Sequence, residues 1–230
     1  MRILVSGATG WIGKHVVREL KSRGHVVLEY LCQNPDAIIH LAWSGLPNYE
    51  SPKHFENVEW QTDFIDEAVK QGIKNITVTG TCLEAVPNPP QYALAKLKLQ
   101  TNLAAILPEL KWARLWYLYG DGQPDHCLLP QLRKAVMNHE KTFSVIDGER
   151  DFIDVQSVAK HLVLIAEQEE ITGIIDVCWG WAERVSVFCR KYVENGMELI
   201  PDYPIPSYEP YSFHGDRTKL NKIIEHTYLV

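Results

Sequence analysis

The sequence has 230 residues, 46% of them hydrophobic and 23% charged, enough for one domain, or one domain with a modest second lobe, around a sizeable buried core. A formal net charge of -6 argues against a general nucleic-acid or polyanion binder, because such proteins neutralise phosphates with surplus Lys and Arg. No apolar run approaches the ~20 residues of a membrane span, and neither the cysteines nor the histidines show metal-ligand spacing, so no membrane and no metal are expected.

The amino end, Met1 to Val5, passes straight into a glycine motif without the layout of a signal peptide. Cys32, Cys82, Cys127, Cys178 and Cys189 are scattered and odd in number, which points to reduced thiols in a cytoplasmic protein. Ile3–Ser6 has strand length. Next, Ile12, Val16, Val17 and Leu20 recur at helical spacing with Lys14, Arg18 and Lys21 opposite, until Gly24 stops the helix. His25–Leu28, Ala37–Leu41 and Ile76–Thr79 read as strands, with a helix over Val58–Gln71. A further helix is expected over Gln91–Leu107 and a strand over Trp112–Tyr119. Continuous apolar strands alternating with helices predict α/β architecture: a Rossmann-type, doubly wound parallel sheet covered on both faces.

Beyond Gly120 the pattern loosens. Leu128–Asn138 reads as helix, Thr142–Ile146 as extended, Val158–Glu167 as helix, Ile174–Val177 as strand and Val185–Val193 as helix. Pro201–Tyr211 is a loop rich in proline and tyrosine. These elements predict a dinucleotide-binding domain over 1–120, completed by about 155–180. A small carboxyl-terminal substrate lobe is expected from 121–154 and 181–230, its cleft facing the carboxyl edge of the sheet.

Gly7-Ala8-Thr9-Gly10-Trp11-Ile12-Gly13 lies between the first strand and the first helix. Glycines here allow a tight turn, approach of a pyrophosphate to the backbone and close helix–strand packing, while the helix N-terminus offers unpaired N–H groups. Gly7, Thr9, Gly10, Trp11, Ile12 and Gly13 are therefore candidate cofactor contacts. An acid at the end of the second strand usually binds the ribose; Glu29 is the candidate, and with no Lys or Arg close behind it favours NAD over NADP.

Tyr92 and Lys96 stand four apart on one helix face. A fixed cation beside a phenol stabilises the phenolate, and a tyrosine so tuned exchanges a proton with a carbonyl or alcohol oxygen as hydride moves at the adjacent carbon. Thr79-Gly80-Thr81 ends the strand upstream.

The GxxGxxG loop, Thr81 and the YxxxK helix together resemble the extended short-chain dehydrogenase/reductases, in particular the NAD-dependent epimerase/dehydratase group that acts on nucleotide sugars. His40-Leu41-Ala42 is similar to the family's HxAA strand end, which implies that Leu41 and Ala42 border the cofactor. Asn57-Val58, Arg114 to Gly120, Arg150-Asp151-Phe152-Ile153-Asp154-Val155 and Gly215 to Leu220 resemble further family segments. The resemblance implies Tyr92 as acid/base, Lys96 as its cation and a ribose ligand, and Thr81 as hydroxyl donor beside the substrate oxygen. It places Arg150 on the substrate diphosphate; read without it, Arg150 could simply pair with Asp151 or Asp154. Cys82-Leu83 replaces the Asp-Glu of the family's dehydratases, which disfavours 4,6-dehydration.

The expected function is NAD- or NADP-dependent oxidoreduction of a nucleotide-sugar substrate, with reduction of a 4-keto-6-deoxy sugar ahead of 4-epimerisation. A non-catalytic dinucleotide sensor is the alternative from another class, and homodimeric assembly is left open. Trp179-Gly180-Trp181 suits either stacking on a ligand or packing. Two joins depart from the family, Leu28 to Asp36 and Cys82 to Pro87, where longer segments are usual. We expect the chain to be interrupted there, with a Cα spacing in each window well beyond the ~3.8 Å of a trans peptide. An unbroken chain would instead mean a true deletion, an absent third strand and an adenine side left open.

Overall fold

Alternation within the first strand sets the layers. In β1 (Arg2–Ser6), Ile3 and Val5 are buried on one face of the sheet and Leu4 on the other. A computed structural model describes residues 1–193 and 196–228 of the chain; residues 194–195 and 229–230, all within the expected small lobe, lie outside it. After β1 come α1 (Trp11–Ser22), β2 (Val26–Leu28), β3 (Ala37–His40), α2 (His54–Lys70), β4 (Ile76–Thr81), α3 (Gln91–Ile106) and β5 (Lys111–Leu115). Helix α2 starts four residues before its expected position, since the fully buried His54 extends its packed face back to Trp43.

The second half carries β6 (Tyr117–Tyr119), α4 (Leu128–Met137), β7 (Thr142–Ile146), β8 (Glu149–Arg150), β9 (Phe152–Asp154), α5 (Val155–Glu167) and β10 (Gly173–Val177). It ends with β11 (Glu183–Arg184), α6 (Val185–Arg190), β12 (Glu198–Tyr203), β13 (Ser212–Phe213) and α7 (Thr218–Tyr228). Six parallel strands form the main sheet in the order β10-β5-β4-β3-β1-β2. Helices α1, α5 and α7 share one core with Ile3, Val5, Ile39, Ala113 and Ile175. Helices α2 and α3 share the other with Leu4, Ile38, Ile76 and Trp112. This is the doubly wound α/β sheet that the sequence pattern requires. A separate small core joins α4, α6, β7 and β12 through Leu129, Leu132, Val145, Phe188 and Leu199.

Several expectations need correction. The strand over Trp112–Tyr119 is two strands, because buried Trp116 packs on Phe213 and the chain leaves the sheet there, so that β6 pairs with β9. The helix expected to reach Val193 ends at Arg190, and Pro201–Tyr203 belong to β12 rather than to the loop. Neither short join is interrupted. Leu31–Gln33 forms a 3-10 turn, the Asp36 N–H donates to the Arg2 carbonyl at 2.8 Å, and Thr81 leads directly into a turn over Cys82–Ala85. The sheet accordingly ends at β2, with no third strand beyond it among the described residues. Nor, among them, is any helix long and apolar enough to cross a membrane.

Candidate active site

Every candidate motif except Arg150 lies at the carboxyl edge of the main sheet. Gly7 turns with φ +75°, and a Cβ there would stand 3.0 Å from the Ala42 nitrogen, so only glycine lets the loop abut the end of β3. A Cβ on Gly13 would overlap the Gly7 carbonyl oxygen and come within 2.8 Å of Ala8, which is how closely α1 packs on its loop. Gly10 differs: its Cβ would meet only the Gly7 oxygen, at 3.2 Å. Gly10 is also the N-cap of α1, with no side-chain cap and no acid in the first turn. That helix end keeps N–H groups for an anion. Thr9 and Gly10 are exposed and Trp11 and Ile12 half-buried, with the Trp11 indole N–H donating to the Asp121 carbonyl at 2.8 Å.

Thr81 ends β4 and caps the turn that follows, its Oγ1 accepting from the Leu83 N–H at 3.4 Å. The Lys96 ammonium donates to the Thr79 carbonyl at 2.8 Å and sits 3.9 Å from the centre of the Trp43 ring. Tyr92 is surrounded by Trp43, Tyr49 and His54, with ring centroids at 5.6, 5.5 and 5.2 Å. A cavity of ≈ 330 Å³ brings Thr81 and Tyr92 together with Trp11 and Ile12 at the start of α1. A larger groove of ≈ 760 Å³ between α5 and α7 lies at the amino edge of the sheet, away from all of these residues.

The electrostatics overturn one expectation. Burial pushes the Tyr92 phenol well above its ordinary value, and the nearby Tyr49, Glu84 and Cys82 push the same way, against a hydrogen bond from Thr81. Burial also lowers Lys96 to about 7, with Glu84 acting in the opposite sense. The phenol is therefore not tuned downward by its lysine. Desolvation outweighs the cation because both groups lie beneath the aromatic cluster.

No family model matches the chain. A curated relative, dTDP-6-deoxy-L-talose 4-dehydrogenase (NAD(+)) of Aggregatibacter actinomycetemcomitans, is 28% identical over 94% of this chain and 99% of its own length. That alignment spans 272 residues, more than the whole chain, so the relative carries segments that are absent here. Among solved structures, the NAD-dependent NDP-hexosamine 5,6-dehydratase TunA of tunicamycin biosynthesis superposes with a TM-score of 0.81 at 20% identity, over 97% of this chain and 91% of that one. The UDP-N-acetylglucosamine 4-epimerase of Bacillus cereus gives 0.78 at 18% identity, over 98% and 93%. The chain is thus similar, over nearly its whole length, to nucleotide-sugar enzymes and shares their fold.

In this chain the remaining candidates fall in unequal places. Glu29 follows Leu28, the partner of Leu4 in the register and the last residue of β2, so it stands one strand from the glycine loop, exposed just beyond the edge strand of the sheet. With no strand beyond β2 among the described residues, the preference for NAD drawn from Glu29 loses its support. Leu41 and Ala42 lie against the loop, the Leu41 N–H donating to the Ser6 carbonyl at 3.1 Å. Arg150 is buried and pairs with neither of its expected aspartates. Asp154 caps α5 through the Ser157 N–H at 2.8 Å, and Asp151 accepts from the N–H groups of Trp179, Gly180 and Gly215 at 2.9, 2.8 and 3.4 Å. Those bonds fix the Trp179-Gly180-Trp181 turn, whose Trp179 stacks with Arg217 at 4.6 Å rather than lining the cavity.

Sequence reasoning missed three residues. Glu84 is a buried carboxylate that accepts from the Thr81 N–H at 2.7 Å, the Trp112 indole at 2.9 Å and Arg114 at 3.3 Å, and so holds the end of β4. The spacing Thr81-x-x-Glu84, a capping box, was its available signal. Trp43 covers Lys96 and adjoins Tyr92, and only its place directly after His40-Leu41-Ala42 hinted at that. Glu209 lines the cavity from a segment far along the chain and left no signal at all.

Proposed function

We propose that this chain reduces the keto group of a nucleotide-linked 4-keto-6-deoxy sugar with NAD or NADP as redox partner. The carrying observation is the convergence of Thr81 and Tyr92 with the amino end of α1 on one cavity, with Lys96 packed beneath. The uncapped helix end and the space left at Gly10 fit a dinucleotide pyrophosphate, and the bound cofactor would supply the hydride. Tyr92 would give its proton to the substrate oxygen, Thr81 would hold that oxygen by a hydrogen bond, and Lys96 would meet the nicotinamide ribose. Glu29 is the acid available for the adenosine ribose. Because burial keeps the phenol protonated, Tyr92 is set to donate rather than accept, which favours reduction over alcohol oxidation. The relative that acts as a 4-dehydrogenase on a dTDP-6-deoxy sugar supports the same carbon and the same sugar class. In this reading 1–120, completed by about 155–180, carries the dinucleotide and the remaining carboxyl-terminal residues carry the sugar nucleotide.

One contact favours a second reading. The Trp43 ring covers the Lys96 ammonium, as a protein that only senses a dinucleotide would tolerate. Incubating the purified protein with NADH or NADPH and a panel of nucleotide-linked 4-keto sugars tests both. Cofactor oxidation by at least one sugar is expected. NAD retained through purification with epimerised product would replace the reductase by an epimerase, and dinucleotide binding with no turnover would favour the sensor.

A further inference from the structure

Arg150 has almost no contact with water, its side chain being 2% exposed. Its Nε and Nη2 donate to one oxygen of Glu209 at 3.0 and 2.5 Å. Its Nη1 donates to the carbonyls of Glu149, Pro210 and Tyr211 at 2.7, 3.2 and 3.0 Å. Most of these acceptors belong to the stretch that begins at Pro204, where three prolines in seven residues stiffen the backbone. A turn closed by the Glu209 N–H on the Pro206 carbonyl, at 2.8 Å, presents the carboxylate.

Glu209 also faces the cavity that holds Thr81 and Tyr92, and among the described residues no Lys or Arg lines that cavity. An anionic ligand that enters it meets a carboxylate first, with Arg150 directly behind. The Glu209 carboxylate brings one charge, and both contacts use a single oxygen. A diphosphate brings more charge and several oxygens in the geometry that a guanidinium fork binds best. A neutral ligand offers no replacement, and removing Glu209 without one would leave a buried cation unpaired.

We propose that Glu209 is a specificity-determining residue: a tethered anion on Arg150 that a nucleoside diphosphate displaces, so that the cavity admits diphosphate-bearing ligands and the 204–211 segment moves as they bind. This rests on the nucleotide-sugar reading above. Calorimetric titration of the full chain with dTDP, with thymidine as the uncharged control, tests it on the wild type, Glu209→Gln and Glu209→Ala. Both variants should bind dTDP about tenfold more tightly than the wild type, with thymidine unchanged, because the internal competitor is gone. Hydrogen exchange over 204–211 in the wild type should quicken when dTDP is added. Equal or weaker binding of dTDP by a folded variant, no binding by any of the three proteins, or unaltered exchange would overturn the proposal. A parallel titration with NAD keeps the two readings apart, since loss of NAD binding counts against the redox function and leaves the Glu209 result standing.

Discussion

Two glycines three residues apart should fail in opposite ways when each becomes alanine. At Gly13 the new Cβ would overlap the Gly7 carbonyl oxygen and crowd Ala8, both backbone, so α1 must shift off its loop. Overpacking of this kind costs ~1–3 kcal/mol. At this chain length each kcal/mol moves Tm by ~2–4 °C, so Gly13→Ala should melt several degrees early. At Gly10 the backbone is extended, φ -70° and ψ 174°, and the Cβ meets only one oxygen at 3.2 Å. The loss of an N-cap glycine, up to ~1 kcal/mol, is offset by a comparable gain from a stiffer unfolded chain, so Tm should stay within ~2 °C. In the proposed function the methyl would stand where a pyrophosphate approaches, and NAD affinity should fall ~10-fold or more. Scanning fluorimetry and calorimetric titration of both variants give the readouts. A Gly13→Ala protein with wild-type Tm, or a Gly10→Ala protein with wild-type affinity, would refute this account of the loop.

Tyr92→Phe should keep dinucleotide binding and lower turnover ~100-fold or more, as expected for loss of a general acid; near-normal steady-state rates would remove Tyr92 from that role. Asp151→Asn turns one acceptor oxygen into a donor facing backbone N–H groups, so denaturant unfolding should show a loss of ~2–4 kcal/mol, and a loss under ~1 would mean the three bonds matter little. Burial lowers His40 and His161 to about 4, so between roughly pH 6.5 and 4 the unfolded chain binds protons that the folded chain does not. Unfolding free energy should therefore drop as pH falls through that window, and a His40→Gln/His161→Gln double variant should flatten the decline between pH 6.5 and 5. An unchanged slope would exclude these two histidines as its source.

Local order along the chain determined much of this protein. A strand, three spaced glycines and an amphipathic helix specify the loop from Gly7 to Gly13, because turn dihedrals and helical period act between near neighbours. Tyr92 and Lys96 share a helix face for the same reason, and the unbroken apolar run of Ile3, Leu4 and Val5 already implies a sheet covered on both sides. The two short joins were legible as departures, yet only the folded chain decided that β2 ends the sheet. Tertiary structure alone set the charge states, since burial raises Tyr92 and lowers Lys96, while Tyr49 and Glu84, brought in from separate segments, add to the rise of Tyr92. Glu209 meets Arg150 across 59 positions and Arg114 meets Asp176 across 62. Neither pair has a periodicity to betray it. Each is selected by what the surrounding elements bury beside it, and desolvation is a property of that assembled surrounding rather than of the residues in sequence.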